Sequence, residues 1–175
     1  MLADVSDRDL ALLGTREAFE TLFHRHRNPV FHFIARQVTD RALAEDLFQI
    51  VFLKAFRSIR SFRGDSEFRT WLFSIAVHAV ADEKRRGRSA VALTDEIAAP
   101  DGRSPDSNEI AGLVRRTIEA LPEKHRQLFL LVKYQRMRIA EAAGVVGLTP
   151  GSAKVTLFRI QTQIGLQLKT LGALL

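Results

Sequence analysis

The sequence predicts an all-α fold of two small helical domains joined by a flexible linker. Apolar residues recur three and four positions apart in nearly every segment, and no sustained period-two stretch with strand composition occurs. Between 87 and 108 the composition shifts to Gly, Pro, Ser, Ala and Asp without helical periodicity, which is typical of a linker. With 175 residues, 46% of them hydrophobic, the chain can bury a core as one ordinary domain or two small ones.

Composition and charge exclude several classes of protein. The absence of cysteine excludes disulfide frameworks, cysteine zinc sites and thiol nucleophiles, and it fits a cytoplasmic protein. The acidic N-terminus does not resemble a signal peptide, and no apolar run approaches the roughly 18 residues of a membrane span, so we expect no membrane insertion. The net charge of +6 favours a polyanionic partner, with two basic blocks on either side of an acidic connector at 90–111.

Three helices are predicted in the first half, from about Arg16 to Val38, Arg41 to Ile59 and Ser66 to Arg86. Asn28-Pro29 predicts a kink or a restart in the first helix, because proline lacks a backbone donor and restricts the residue before it. Asp40 is typical of an N-cap for the second helix. Histidines at 24, 26, 32, 78 and 125 lack metal-site spacing and are interpreted as part of a solvated basic face.

The second predicted helix has two apolar stripes. One stripe holds Leu43, Leu47, Ile50 and Val51, and the other holds Phe48, Phe52, Ala55 and Phe56. A helix this apolar needs cover on both sides. Burial within its own domain and a partner surface on one stripe both remain open.

Aromatic, basic and hydroxyl side chains interleave at the start of the third helix, at Phe62, Arg63, Asp65, Ser66, Phe68, Arg69, Thr70, Trp71 and Phe73. This mixture suits single-stranded nucleic acid, because unstacked bases find aromatic faces and arginines offset phosphate charge. The alternative is that about half of these aromatics form core. The same helix ends in a basic run, Lys84-Arg85-Arg86-Gly87-Arg88.

In the second half, the spacing of apolar residues predicts helices at about 109–120, 122–134, 138–146 and 150–169. Residues 138–159 have the pattern of a helix-turn-helix, with a Gly147-Leu148-Thr149 turn. An ordinary helical hairpin is the alternative interpretation. No phosphate-binding glycine motif, metal site or nucleophile set is present, so we expect no catalytic activity and no cofactor.

Three segments together resemble the extracytoplasmic-function branch of the sigma-70 family: AEDLFQ at 44–49, FLKAFR at 52–57 and FRGDSEFRTWL at 62–72. The resemblance continues through Leu121-Pro122 and the helix-turn-helix, and it covers nearly the whole chain. It implies a sigma region 2 domain at 12–88, a linker at 89–109 and a sigma region 4 domain at 110–175. It also implies an alternative sigma factor that directs RNA polymerase to promoters and melts the DNA.

The resemblance implies partners and site residues as well. Core polymerase would bind through its β′ coiled coil and β flap, and an anti-sigma factor would control the chain. The residues implied for core binding are Asp46, Leu47, Gln49, Ile50 and Leu53. Those implied for the minus-ten element are Phe62, Arg63, Asp65, Ser66, Phe68, Arg69, Thr70, Trp71, His78, Lys84, Arg85, Arg86 and Arg88. Those implied for the minus-35 element are Ser152, Lys154, Val155, Thr156, Phe158 and Arg159.

The chain departs from the family pattern at a few positions. Ile50 stands where relatives usually carry a glutamate, and Ser74, Val77 and His78 stand where many carry arginine, arginine and asparagine. Arg136 replaces a common turn glycine. A free-standing helix-turn-helix regulator that binds operators without polymerase is the alternative function, although it would need neither a two-striped helix nor an aromatic loop.

Overall fold

The computed structural model describes residues 4–38, 40–87 and 105–170, the side chains of 105–109 excepted. Within these ranges the chain is helical without strands, and it divides into two compact units, Met1–Asp95 and Glu96–Leu175. The all-α prediction is therefore confirmed. The segment 88–104, which holds most of the predicted linker and Arg88, lies outside the described residues.

The first unit contains four α-helices and one short 3-10 turn at Ile59–Ser61. The helices are α1 Asp7–Leu13, α2 Arg16–Ala35, α3 Arg41–Ser58 and α4 Phe68–Arg85. Helices α2, α3 and α4 pack against one another around fully buried side chains that include Phe33, Phe73 and Leu72. The Phe33 and Phe73 rings meet edge to face with centroids 5.2 Å apart.

Helix α1 is absent from the sequence prediction and begins before the expected domain boundary at residue 12. Ser6 caps it by accepting the Asp9 backbone N–H at 3.1 Å, and Gly14 ends it with a φ of 59°. Leu10 and Ala11 anchor it, since both are almost completely buried. A helix of only seven residues, less than two full turns, is too short for periodicity to reveal, but the Ser-x-x-Asp spacing is a start signal that could have found it.

Helix α2 runs through Pro29 without a restart, so a break at that point is not observed. Proline inside a helix costs about 3 kcal/mol. Val30 and Ile34, on the turn that follows, are completely buried. Their packing stabilises the continued helix, which is an instance of tertiary contacts outweighing local propensity.

The second unit contains α5 Pro105–Glu119, α6 Glu123–Lys133, α7 Ile139–Val146 and α8 Pro150–Thr170. Helix α7 packs against both α6 and α8, with Ala142 and Ala143 completely buried. Small side chains at this crossing permit the close approach that the sequence predicted. Helix α5 begins five residues before the predicted domain start at residue 110.

Candidate nucleic-acid interface

One face of α3 is exposed although much of it is apolar. Asp46, Gln49, Ile50, Leu53 and Phe56 are exposed and share one helix face, with spacings of three or four residues between 46 and 49, 46 and 50, 49 and 53, and 53 and 56. We call them the α3 stripe. The three apolar members are 38%, 48% and 47% exposed, in that order. The α3 stripe is thus a mixed polar and apolar surface of the kind that a protein partner covers.

Leu47 does not belong to the α3 stripe. It is 2% exposed and lies on the opposite face with Ala44 and Val51, which form part of the core of the first unit. Its expected role as a contact for polymerase is therefore corrected to a packing role. Neither apolar stripe of the sequence analysis is exposed as a whole. Leu47, Val51, Phe52 and Ala55 are buried, and the exposed α3 stripe takes Ile50 from one predicted stripe and Phe56 from the other.

The loop between α3 and α4 is built on three packed aromatic rings. The centroid of Phe68 lies 5.9 Å from that of Phe62 and 5.6 Å from that of Trp71, and the Phe62 and Trp71 centroids are also 5.6 Å apart. Phe62 and Phe68 are 6% and 1% exposed, so neither offers a ring face to a ligand. This corrects their expected contact with DNA bases, and Trp71 remains the partly exposed ring.

Polar groups surround that ring at the loop surface. Arg63, Asp65 and Ser66 are exposed, whereas Arg69 and Thr70 are half-buried. The Arg69 guanidinium lies 5.8 Å from the centroid of Phe73, which is completely buried. The loop therefore joins one accessible aromatic side chain to cationic and hydroxyl groups, a combination that suits an unstacked base.

Helix α1 is joined to α2 through Asp7. Asp7 Oδ1 accepts a hydrogen bond from Arg25 Nη1 at 2.6 Å, and Asp7 Oδ2 lies 2.6 Å from His26 Nε2. The His26 hydrogen bond, and then Arg25, lower the pKa of Asp7 to about 2 against the opposing effect of burial. His26 is 7% exposed, so its expected place on a solvated face is wrong.

The middle of α4 carries no lysine or arginine between Trp71 and Ala81. Val77 is 5% exposed and therefore packs inward. Ser74 Oγ donates to the Trp71 carbonyl at 2.6 Å, and His78 Nδ1 lies 2.7 Å from the Ser74 carbonyl. His78 remains exposed, so it is the member of this trio with a side chain free to meet DNA.

Acidic neighbours accompany the basic end of α4. Asp82 pairs with Arg85, which lowers the pKa of that carboxyl, and the buried Glu83 lies 3.9 Å from Arg86. Lys84 is half-buried and both arginines are exposed. A phosphate that approaches this end must compete with the two carboxylates for the arginines.

The second unit forms a complete helix-turn-helix. Gly147 ends α7 in the left-handed region at a φ of 70°, and Thr149 Oγ1 accepts the Ser152 backbone N–H at 3.2 Å to cap α8. Ala153, Leu157 and Ile160 are buried and anchor α8. The helix-turn-helix prediction is confirmed over the hairpin alternative.

The opposite face of α8 is open. Ser152, Lys154, Val155, Phe158 and Arg159 are exposed, and Thr156 is half-buried. Phe158 is 69% exposed and Val155 51%. All of these side chains lie in the first three turns, which is the part of a recognition helix that enters a major groove.

Metal and membrane sites are not found in the described part of the chain. Among the described residues, no three His, Asp or Glu side chains come together as metal ligands. None of the described helices is long and apolar enough to cross a bilayer.

An all-α chain with a helix-turn-helix in one unit and a cationic aromatic loop in the other falls into the class of modular helical DNA-binding proteins. Two family models match the chain: Sigma-70 region 2 matches residues 22–90, and Sigma-70, region 4 matches residues 111–161. The first match contains the α3 stripe and the loop before α4, and the second contains the exposed face of α8.

Curated relatives are similar over most of their length. RNA polymerase sigma factor CarQ of Myxococcus xanthus is 35% identical, over 83% of this chain and 86% of its own. RNA polymerase sigma-H factor of Pseudomonas aeruginosa is 32% identical over 90% of both chains. The ECF RNA polymerase sigma-E factor of Escherichia coli is 32% identical over 86% of both.

Solved structures share the fold. CnrH in complex with the cytosolic domain of CnrY is similar with a TM-score of 0.72 and 24% identity, over 94% of this chain and 97% of that one. The sigma factor RpoE of Bartonella quintana, in complex with the anti-sigma factor NepR, gives a TM-score of 0.72 and 22% identity, over 86% and 96%. The chain belongs to the extracytoplasmic-function branch of the sigma-70 family and is an alternative sigma factor.

Proposed function

We propose that this sigma factor docks on core RNA polymerase through the α3 stripe. The exposure of Ile50, Leu53 and Phe56 on one helix face is the observation that carries the proposal. Apolar side chains at this exposure are stabilised when a partner covers them. Asp46 and Gln49 flank them and supply polar contacts to the β′ coiled coil, while Ile50 replaces one polar contact of the family with apolar packing.

The loop at 61–67 and the start of α4 capture a flipped base of the minus-ten element. Trp71 offers the stacking face, and Phe62 and Phe68 support it from below. Arg63, Asp65, Ser66, Arg69 and Thr70 surround the base. Unstacking costs a few kcal/mol, and stacking on an aromatic ring returns about 1–3 kcal/mol per base.

Cations at the end of α4 hold duplex phosphates next to the melted region. The residues in this role are Lys84, Arg85, Arg86 and Arg88. His78, six residues before Lys84, also faces DNA. Phosphate contacts contribute affinity and register more than sequence choice. The nearby carboxylates of Asp82 and Glu83 weaken the attraction between these cations and DNA that lacks a promoter sequence.

In the second unit the exposed face of α8 reads the minus-35 element. Ser152, Lys154 and Arg159 supply hydrogen bonds and charge, and Val155, Thr156 and Phe158 supply apolar contact to base edges. The same unit binds the β flap of polymerase. The first unit serves as sigma region 2 and the second as sigma region 4, and their helices extend beyond the predicted bounds 12–88 and 110–175, to Asp7 and to Pro105.

An anti-sigma factor controls the chain by covering its polymerase-binding surface. Two of the solved structures that share the fold contain a partner: CnrH is in complex with the cytosolic domain of CnrY, and RpoE is in complex with the anti-sigma factor NepR. The α3 stripe offers an apolar surface to such a partner. We further propose that the chain works in the cytoplasm, without a catalytic step or cofactor of its own.

In vitro transcription tests the proposal. Purified chain and bacterial core polymerase are mixed with sheared genomic DNA of the source bacterium, and the 5′ ends of the transcripts are sequenced. We expect discrete start sites that share two upstream elements and are absent with core polymerase alone. Tight operator binding by the chain alone, with no such transcripts, would overturn the proposal in favour of a free-standing regulator.

A further inference from the structure

Arg8 of α1 lies directly on the loop that is proposed to capture the flipped base. Its Nε is 3.0 Å, and its Nη2 3.3 Å, from the position that a Cβ on Gly64 would occupy. Gly64 also has a φ of 75°, which L side chains rarely adopt. Because Gly64 has no side chain, there is room beside it for the guanidinium of Arg8.

Arg8 is held there by the residue before it. Asp7 binds Arg25 and His26 of α2 at 2.6 Å each, and Arg25 Nη1 also donates to the Val5 carbonyl at 2.8 Å. These contacts fix the start of α1 against α2. The His26 ring lies 5.4 Å from Phe68, so the same contacts extend to the aromatic base of the loop.

The charge of Arg8 is available to a ligand. The side chain is exposed, and it forms no ion pair with a carboxylate of the described residues. Asp7 is engaged by Arg25 and His26, and Asp9 accepts from Ser6 Oγ at 2.7 Å.

A further cation beside the loop would strengthen its attraction for a DNA strand. Residues 61–67 contain one arginine, Arg63, and two carboxylates, Asp65 and Glu67, all of them exposed. With the exposed Arg60 before the loop and the half-buried Arg69 after it, three arginines stand against these two carboxylates. The guanidinium of Arg8 adds to this small positive excess, which favours binding of phosphate.

We infer that Arg8 is a DNA-contacting residue of the minus-ten surface, that it binds a phosphate of the captured single strand, and that Asp7 is the positioning residue that places it. The inference rests on the proposed function of the loop and adds to it a helix that the sequence pattern did not reveal. It assigns the start of α1 to promoter opening rather than to packing alone.

The test uses holoenzyme assembled from the full chain and core polymerase. Its probe is a fluorescent single strand with the non-template minus-ten sequence recovered from the transcripts above. Binding is measured from 50 to 300 mM salt for wild type, Arg8→Gln and the control Arg41→Gln. Arg41 is an exposed arginine paired with Glu45 at the far end of α3.

Loss of one phosphate contact to a single strand lowers the slope of log K against log salt by about 0.7. We expect that change, with weaker binding at low salt, for Arg8→Gln and an unchanged slope for Arg41→Gln. An unchanged slope for Arg8→Gln would overturn the inference, whether or not its affinity falls. Failure of wild-type holoenzyme to bind the strand at all would instead overturn the proposed function.

A double-mutant cycle tests the role of Asp7. Asp7→Asn should lower the salt slope as Arg8→Gln does, and in the Arg8→Gln background it should lower it no further. A second, independent decrease in the double variant would show that Asp7 does not act through Arg8. An Asp7→Asn variant with a normal slope and only a lower melting temperature would contradict the positioning role as well.

Discussion

At the scale of single residues, the pairing of Asp7 with Arg25 and His26 joins α1 to α2. A carboxylate bound in the folded state has a lower pKa than in the unfolded chain, and here it falls from 3.8 to about 2. Such a group stabilises the fold fully above its unfolded pKa. That stability is lost as the pH falls through the folded value.

Asp7→Asn should therefore lower the free energy of unfolding of the first unit at pH 7. The deficit relative to wild type should shrink between about pH 4 and pH 2, as the wild-type carboxyl becomes protonated. Trp71, the single tryptophan, reports unfolding of this unit. Asp46→Asn, at an exposed position on α3, is the control and should show no comparable deficit. A deficit for Asp7→Asn that stays constant down to pH 2 would contradict this linkage.

Arg136 occupies a backbone conformation that favours glycine. Its φ is 52°, and the Met137 N–H donates to the Leu131 carbonyl at 3.0 Å to close the turn after α6. Left-handed backbone costs an L residue roughly 1–2 kcal/mol. Replacement by glycine removes that cost, but part of the gain in stability is lost because glycine raises the conformational entropy of the unfolded chain. The common family glycine at this position thus has a physical reason.

Arg136→Gly should accordingly stabilise the second unit by about 1 kcal/mol. Hydrogen exchange of the α6 and α7 amides, read by mass spectrometry, measures the change in that unit. Trp71 fluorescence in the first unit serves as the internal control and should not change. Faster exchange in α6 and α7 would show that the arginine side chain contributes more than its backbone strain costs.

At the scale of elements, α3 has a buried face that stabilises the first unit and an opposite, exposed face that is proposed to bind polymerase. Leu53→Ala on the α3 stripe should change the free energy of unfolding by less than about 0.5 kcal/mol while weakening assembly with core polymerase. Leu47→Ala on the buried face should cost about 2–5 kcal/mol of stability. Calorimetry and a core-polymerase titration measure the two effects.

Leu12→Ala is the matched control for that comparison, because Leu12 is 51% exposed on α1 and Leu53 is 48% exposed. Its assembly with polymerase should equal that of wild type. Equal weakening by Leu12→Ala and Leu53→Ala would mean that assembly depends on general surface apolarity, and the α3 stripe would lose its assigned role.

Trp71 is the partly exposed ring of the loop before α4 and the proposed stacking face for a flipped base. Trp71→Ala should reduce the affinity of holoenzyme for the minus-ten single strand by about 1–3 kcal/mol, the worth of one stacked base. Trp71→Phe should retain most of that affinity, because a ring remains. Assembly with core polymerase should be unchanged in both. If Trp71→Phe loses as much as Trp71→Ala, ring stacking is not the source of the affinity.

Helical periodicity predicted seven of the eight described α-helices because each spans at least two turns with a buried face. It missed α1, which is too short, and it overestimated the effect of Pro29, because burial of Val30 and Ile34 is not visible locally. Composition identified the aromatic loop but not the inward direction of Phe62 and Phe68. Burial of a side chain depends on its tertiary neighbours, and here one neighbour is His26 of α2.

At the scale of the whole molecule, the proposed function gives each of the two compact units its own surface for DNA. The first unit carries the α3 stripe beside the aromatic loop, and the second carries the exposed face of α8. Each surface alone would bind weakly, and joining them to polymerase raises their effective concentration at a promoter. Selection of DNA then requires the assembled enzyme rather than the free chain.

Permanganate oxidation of unpaired thymines at the minus-ten element tests that claim most directly. Duplex promoter DNA is incubated with core polymerase alone, with the chain alone and with both together. The account predicts reactive thymines only when both are present, with loss of the signal for Leu53→Ala and its retention for Leu12→Ala. Thymines made reactive by the chain alone, or none made reactive by the combination, would contradict it.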